Sequence, residues 1–154
     1  MVRSLLIAGN LDPQEESRPD QTIFRMVMEG PAPKSVVRIL IDKQRYIAHF
    51  HFERAAPPEL RGKVAEYITR VNYGLITGNL EMSFDTGAIR YRTSIDFTNI
   101  ELPVQMVRNA MLAAMENIER IAIPLWDVLD EDAAPEAAAA VTSPPEDVAP
   151  FEEP

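Results

Sequence analysis

The chain contains no cysteine, which excludes a disulfide framework and any thiolate-bound zinc. It also lacks a concentration of basic charge. Eight of its 24 Asp and Glu lie beyond Leu129, where no Lys or Arg occurs, so residues 1–129 hold sixteen acids against fifteen bases. A near-neutral body gives no electrostatic ground for binding nucleic acid or an anionic membrane, both of which demand clustered positive charge. Long apolar runs are missing too. Leu5–Ala8 after Arg3 is shorter than a signal-peptide core, and nothing elsewhere approaches the roughly 20 residues of a membrane span; a cytoplasmic location is expected. Glycine is scarce, at six residues, and none falls into G-x-G-x-x-G, G-x-x-x-x-G-K-[ST] or G-x-S-x-G, so no phosphate cradle or nucleophile elbow is written. Gly74 and Gly78 mark a helix end and a strand start.

What is present reads as one domain between two irregular segments. Residues 1–21 form a polar, proline-punctuated lead-in. Residues 22–129 form an α+β domain. Residues 130–154, rich in Ala, Pro, Asp and Glu, form a disordered acidic tail, because alanine buries too little area to offset the entropy of ordering the chain. On that reading the tail is dispensable for folding, with Phe151 its one large apolar residue.

Within the domain, strands are predicted at Thr22–Met28, Ser35–Asp42 and Arg45–Phe52, the last two joined by a tight hairpin at Lys43-Gln44. A helix follows over Pro57–Tyr73, with Leu60, Val64, Ile68 and Val71 at helical spacing and Gly74 as its left-handed end. Two further strands, Asn79–Phe84 and Ala88–Asp96, flank Asp85-Thr86-Gly87, where glycine supplies a positive φ. A second helix opens at Pro103, carries Val104, Val107, Met111, Ala114, Ile118 and Ile121 on one stripe, and should kink or end at Pro124. The order β-β-β-α-β-β-α with short connections implies an antiparallel sheet of about five strands carrying its helices mainly on one face.

Alternation assigns the faces. Val37, Ile39 and Ile41 share a side with Tyr46, Ala48 and Phe50; Leu80, Met82 and Phe84 share one with Ile89, Tyr91 and Thr93. That apolar side belongs under the helices. The opposite side carries Arg25, Arg38, His49, His51, Glu81, Ser83, Arg90 and Arg92 among Ile23, Val27, Val36, Leu40 and Ile47. Such a face is either wetted, with cross-strand ion pairs such as Glu81 with Arg92, or a contact surface of the aliphatic-plus-arginine kind found at interfaces. His49, His51 and Glu53 alternate onto one side as metal ligands would, but two partly exposed histidines are the preferred reading. No nucleophile, general base, metal or cofactor is indicated, and no enzyme is expected.

The stretch Arg70-Val71-Asn72-Tyr73-Gly74-Leu75-Ile76-Thr77-Gly78-Asn79-Leu80-Glu81-Met82, followed by Asp85–Asp96, resembles a signature of the bacterial YbjN family. Phe24–Gly30 is similar to that family's first strand, and Val107-Arg108-Asn109 with Ile123-Pro124 to its last helix. The resemblance covers about residues 22–129. It implies a sensory transduction regulator with a fold like that of type III secretion chaperones, small acidic homodimers that bind an extended client segment. That fold begins with an amphipathic helix, which residues 1–21 do not read as.

The expected function is thus a non-catalytic polypeptide-binding module, a chaperone-like adaptor or regulator; the alternative is a sensory domain holding a small ligand between sheet and helices. Its candidate interaction face comprises Arg25, Arg38, His49, His51, Arg90, Arg92 and Met106. Partners are an unknown protein client and a second copy of the chain. For the latter, either the mixed sheet face or the extra apolar set Met106, Ala110, Ala113 and Met115 would serve.

Overall fold

A computed structural model describes residues 1–29 and 34–142. In chain order these form α1 (Val2–Ala8), β1 (Gln14–Arg18), β2 (Gln21–Met28), β3 (Ser35–Asp42), β4 (Arg45–Ala55), a single 3₁₀ turn (Pro58–Leu60), α2 (Arg61–Gly74), β5 (Asn79–Met82), β6 (Ala88–Asp96), α3 (Val104–Leu129) and α4 (Pro135–Thr142). The fold is α+β. Six strands, each antiparallel to its neighbours, run in the order β1-β2-β3-β4-β6-β5. No described helix is long and apolar enough to cross a membrane.

The hairpin registers agree with the alternation in the sequence. Val37, Ile39 and Ile41 lie opposite Phe50, Ala48 and Tyr46, and Leu80 and Met82 opposite Tyr91 and Ile89. Lys-Gln serves as a two-residue turn because Asp42 organises it. One carboxylate oxygen accepts from the Gln44 and Arg45 amides at 2.8 and 2.7 Å, and the other accepts from the Arg45 guanidinium at 2.7 Å. A side chain standing in for a backbone acceptor replaces the positive-φ residues such a turn usually needs. Gly87 does adopt positive φ, at 75°.

The inner sheet face buries Val37, Ile39, Tyr46, Ala48, Phe50, Ile89 and Tyr91 against the helices. α3 contributes Val107, Met111, Ala114, Ile118, Ile121, Leu125 and Val128, and α2 contributes Val64, Tyr67, Ile68 and Val71.

Several expectations need correction. The sheet has six strands rather than five, because residues 1–21 are not an irregular lead-in. Val2 and Leu6, one turn apart, dock α1 into the core. β1 pairs residue by residue with β2. Its sequence, Gln-Glu-Glu-Ser-Arg, has no apolar alternation because an edge strand needs none, and its charges suit an edge. Residues 130–142 are not disordered either. In α4, Ala138, Ala139 and Thr142 are buried against α2 and α3. Small side chains let the helices approach closely enough for polar contacts to form: the Tyr67 hydroxyl lies 3.1 Å from the Thr142 hydroxyl and donates to the Ile121 carbonyl at 2.9 Å. Ahead of α4, Asp130 accepts both Arg54 nitrogens at 2.5 and 3.0 Å, and Glu131 accepts from Lys63 at 2.6 Å. The remainder of the acidic segment, with Phe151, lies outside the described residues.

Three smaller differences have local causes. α3 runs through Pro124 to Leu129; a proline forfeits one ladder hydrogen bond, and tertiary burial holds the helix across it. Gly74 closes α2 without positive φ; in the α2–β5 connection it is Gly78 that is left-handed, at 70°. Phe84 is exposed, since β5 ends at Met82 and a turn closed by the Gly87 amide on the Ser83 carbonyl begins.

Candidate functional site

The helices cover one face of the sheet, leaving the other open. Strand register aligns its residues in rows. Arg25, Arg38, His49 and Arg92 are successive partners across β2, β3, β4 and β6. The next row is Val27, Val36, His51, Arg90 and Glu81. A third, Ile23, Leu40, Ile47 and Ser94, is apolar over three strands, with Ile23 buried and Leu40 and Ile47 half-buried. At about 4.8 Å between strands, the four positions of the first row span about 15 Å.

Charge on this face is unevenly compensated. Glu81 serves two arginines: one oxygen takes Arg90 at 2.6 Å and the other lies 2.8 Å from Arg92 Nε. The second contact is an ion pair off the hydrogen-bond direction, so Arg92 Nε stays without a proper acceptor. Arg25 pairs with Glu16 of β1 at 3.0 Å, a carboxylate that also holds Arg18. Arg38 has no ion-pair partner among the described residues, and its buried Nε has no acceptor. In these first two rows four arginines stand against Glu81, with Glu16 reaching in from β1, while Arg45, Asp42 and Asp96 lie on the same face towards its rim; the arginine with no ion-pair partner, Arg38, is in the centre. Beside it, Val27 and Val36 are 49% and 51% exposed. Two shallow grooves flank the valine–His51–Arg90 row, one of about 350 Å³ beside Arg25 and Val36, the other of about 450 Å³ beside His51 and Arg90.

The two histidines are kept neutral. Burial lowers His49 to about 4, with Arg90 adding to the effect. His51 is lowered by burial and then by Arg90 and Arg38. Their rings meet edge to face, 5.9 Å apart. Among the described residues no three His, Asp or Glu side chains converge as metal ligands.

Of the residues selected from sequence, Arg25, Arg38, His49, His51, Arg90 and Arg92 share this face. Met106 does not. It lies on α3, in a groove with Ile76, Gly78, Ile95, Ala110 and Ala113. Met115 lies in a different groove, between α1 and α3, so the four-residue apolar set expected to act together is divided between two surfaces. Sequence reasoning missed Glu16, because β1 was not legible as a strand.

The Asn72–Met82 block fastens secondary structure together and lies off the open face. Asn72 pairs with both backbone groups of Leu80, at 3.0 and 2.8 Å, tying α2 to β5. Gly78 is required sterically: a Cβ there would sit 2.1 Å from the Tyr91 hydroxyl. That hydroxyl donates to the Thr77 carbonyl at 2.6 Å and accepts from Asn117 of α3 at 2.9 Å. No protein-family model matches this chain, and none of the curated proteins does.

Proposed function

We propose that the protein is a non-catalytic module that binds an acidic, extended stretch of polypeptide across the open face of its sheet. The observation that carries this reading is Arg38, an uncompensated guanidinium central to a row of basic side chains and bordered by exposed valines. A strand-like ligand presents side chains on alternate sides. A segment alternating carboxylates with aliphatic residues would meet arginines in one row and valines in the next. Neutral histidines between the arginines add donors and acceptors without further repulsion. The resemblance to the YbjN family and to secretion chaperones supports the same reading, as an adaptor or regulator in a bacterial cytoplasm. A small ligand between sheet and helices has less in its favour, because Tyr46, Phe50, Tyr67 and Tyr91 are fully buried in that space.

A fluorescent peptide alternating Glu with Val tests the proposal by anisotropy. Wild-type protein should bind it, weakening as salt rises from about 50 to about 300 mM, as screening of surface charge requires. Arg38→Glu should lower affinity by about tenfold or more, because it reverses the central charge. Binding indifferent to both salt and Arg38→Glu would refute the assignment, as would no binding at all.

A further inference from the structure

α3 carries an outward stripe that the sheet cannot cover. Arg108, Leu112, Met115, Glu116, Glu119 and Ile123 follow one another at helical spacing, all exposed, with Leu112 at 47% and Ile123 at 64%. Beside it runs a groove of about 470 Å³ between α1 and α3, lined by Leu5, Leu6, Leu11, Met111 and Leu112, with Arg108 among its walls. Arg108, Glu116 and Glu119 take part in no salt bridge among the described residues. Arg108 and Glu116 cannot pair within one chain, because eight residues separate them by about 12 Å along a helix.

We propose that this stripe docks on the same stripe of a second copy, the two α3 helices antiparallel about a two-fold axis at Leu112. In such a pairing, positions equally distant from the axis face each other. Arg108, four residues before Leu112, meets Glu116 of the second copy, four residues after it, and symmetry makes the contact twice. Gln105 likewise faces Glu119, seven residues to either side. The two Leu112 side chains meet at the centre, and Met115 closes onto the groove beside α1. Ile123 falls opposite the turn before α3 that holds Ile100, itself 59% exposed. No parallel pairing, and no centre other than Leu112, brings Arg108 and Glu116 together twice. The inference is independent of the peptide-binding reading.

Light scattering of the full chain across a dilution from high to low micromolar tests it. Wild type should give twice 17.3 kDa at the upper end. Arg108→Glu and Glu116→Arg should each weaken association by about tenfold or more, and the double variant should return it to within about threefold, because the reversed charges again face their opposites. Mixing the two single variants should form a mixed dimer. Leu112→Glu should give a monomer with an unchanged far-ultraviolet spectrum. Arg38→Glu should leave the mass as it is, so failure here and failure of the peptide reading are distinguishable. A wild-type monomer at high micromolar concentration would overturn the proposal. So would a dimer indifferent to the single reversals, or a double variant that stays dissociated.

Discussion

Three tyrosines occupy the core with different hydrogen-bonding, and they separate the contribution of a hydroxyl from that of a ring. Tyr67 and Tyr91 each satisfy their hydroxyls twice, whereas the Tyr46 hydroxyl is buried with no partner among the described residues. Removing a paired buried hydroxyl leaves its former partners unsatisfied, so Tyr67→Phe and Tyr91→Phe should each cost about 1–2 kcal/mol. Tyr46→Phe should be neutral or stabilising by up to about 1 kcal/mol, since it removes a desolvated group with nothing to lose. Denaturant midpoints of the three variants check this ordering. His49 makes a prediction in pH. Its folded value is depressed from 6.5 to about 4, so between those limits the unfolded chain binds more protons, and stability must fall as pH falls from 6.5 towards 4. The slope fades above 6.5 and is nearly gone by about pH 7.5, where the unfolded histidine is neutral too. Stability measured at pH 7 and pH 5 should differ less in His49→Gln than in wild type.

Most elements were legible in the sequence; of the three that were not, α1 has Val2 and Leu6 at helical spacing but only two turns in which to show it, and the other two share a cause. β2 to β6 and the first two-thirds of α3 carry an apolar period matching their geometry, because one side of each meets the core. β1 and α4 carry none. β1 is specified by backbone pairing along a charged edge, and α4 by two alanines, a threonine and ion pairs from the turn before it. Such elements become visible only once their docking partners are placed. α4 should therefore contribute to stability despite its composition. A chain truncated after Leu129 is expected to melt several degrees below one truncated after Thr142, a loss of about 1–3 kcal/mol for a domain of this size. Equal melting temperatures would show that the contacts of Thr142, Asp130 and Glu131 hold nothing in place. Pro124 teaches a related lesson. The local rule was a kink or an end; the helix does not end there, and burial of Ile121, Ala122, Leu125 and Val128 around Pro124 holds it across the proline.

At the scale of the molecule, period-two alternation was enough to sort the sheet's faces, and six of seven candidate residues share the open one. What alternation could not supply was which charges cancel: Glu16 reaches Arg25 only because β1 exists, and Arg38 is left over only because no carboxylate stands opposite it in β2 or β4. Nor could it tell that α3's spare apolar residues point to separate sides of the helix. One contact between the sheet and the helical layer is aromatic. The only tryptophan in the chain, Trp126, stands edge to face with Phe52 of β4 at 5.6 Å and beneath the Arg54 guanidinium at 5.2 Å. That same guanidinium grips Asp130. The chain consequently carries its own optical reporter at the joint between strand, long helix and terminal turn: indole emission registers the loosening of that joint with no label attached, while the rest of the molecule stays dark at the same wavelength.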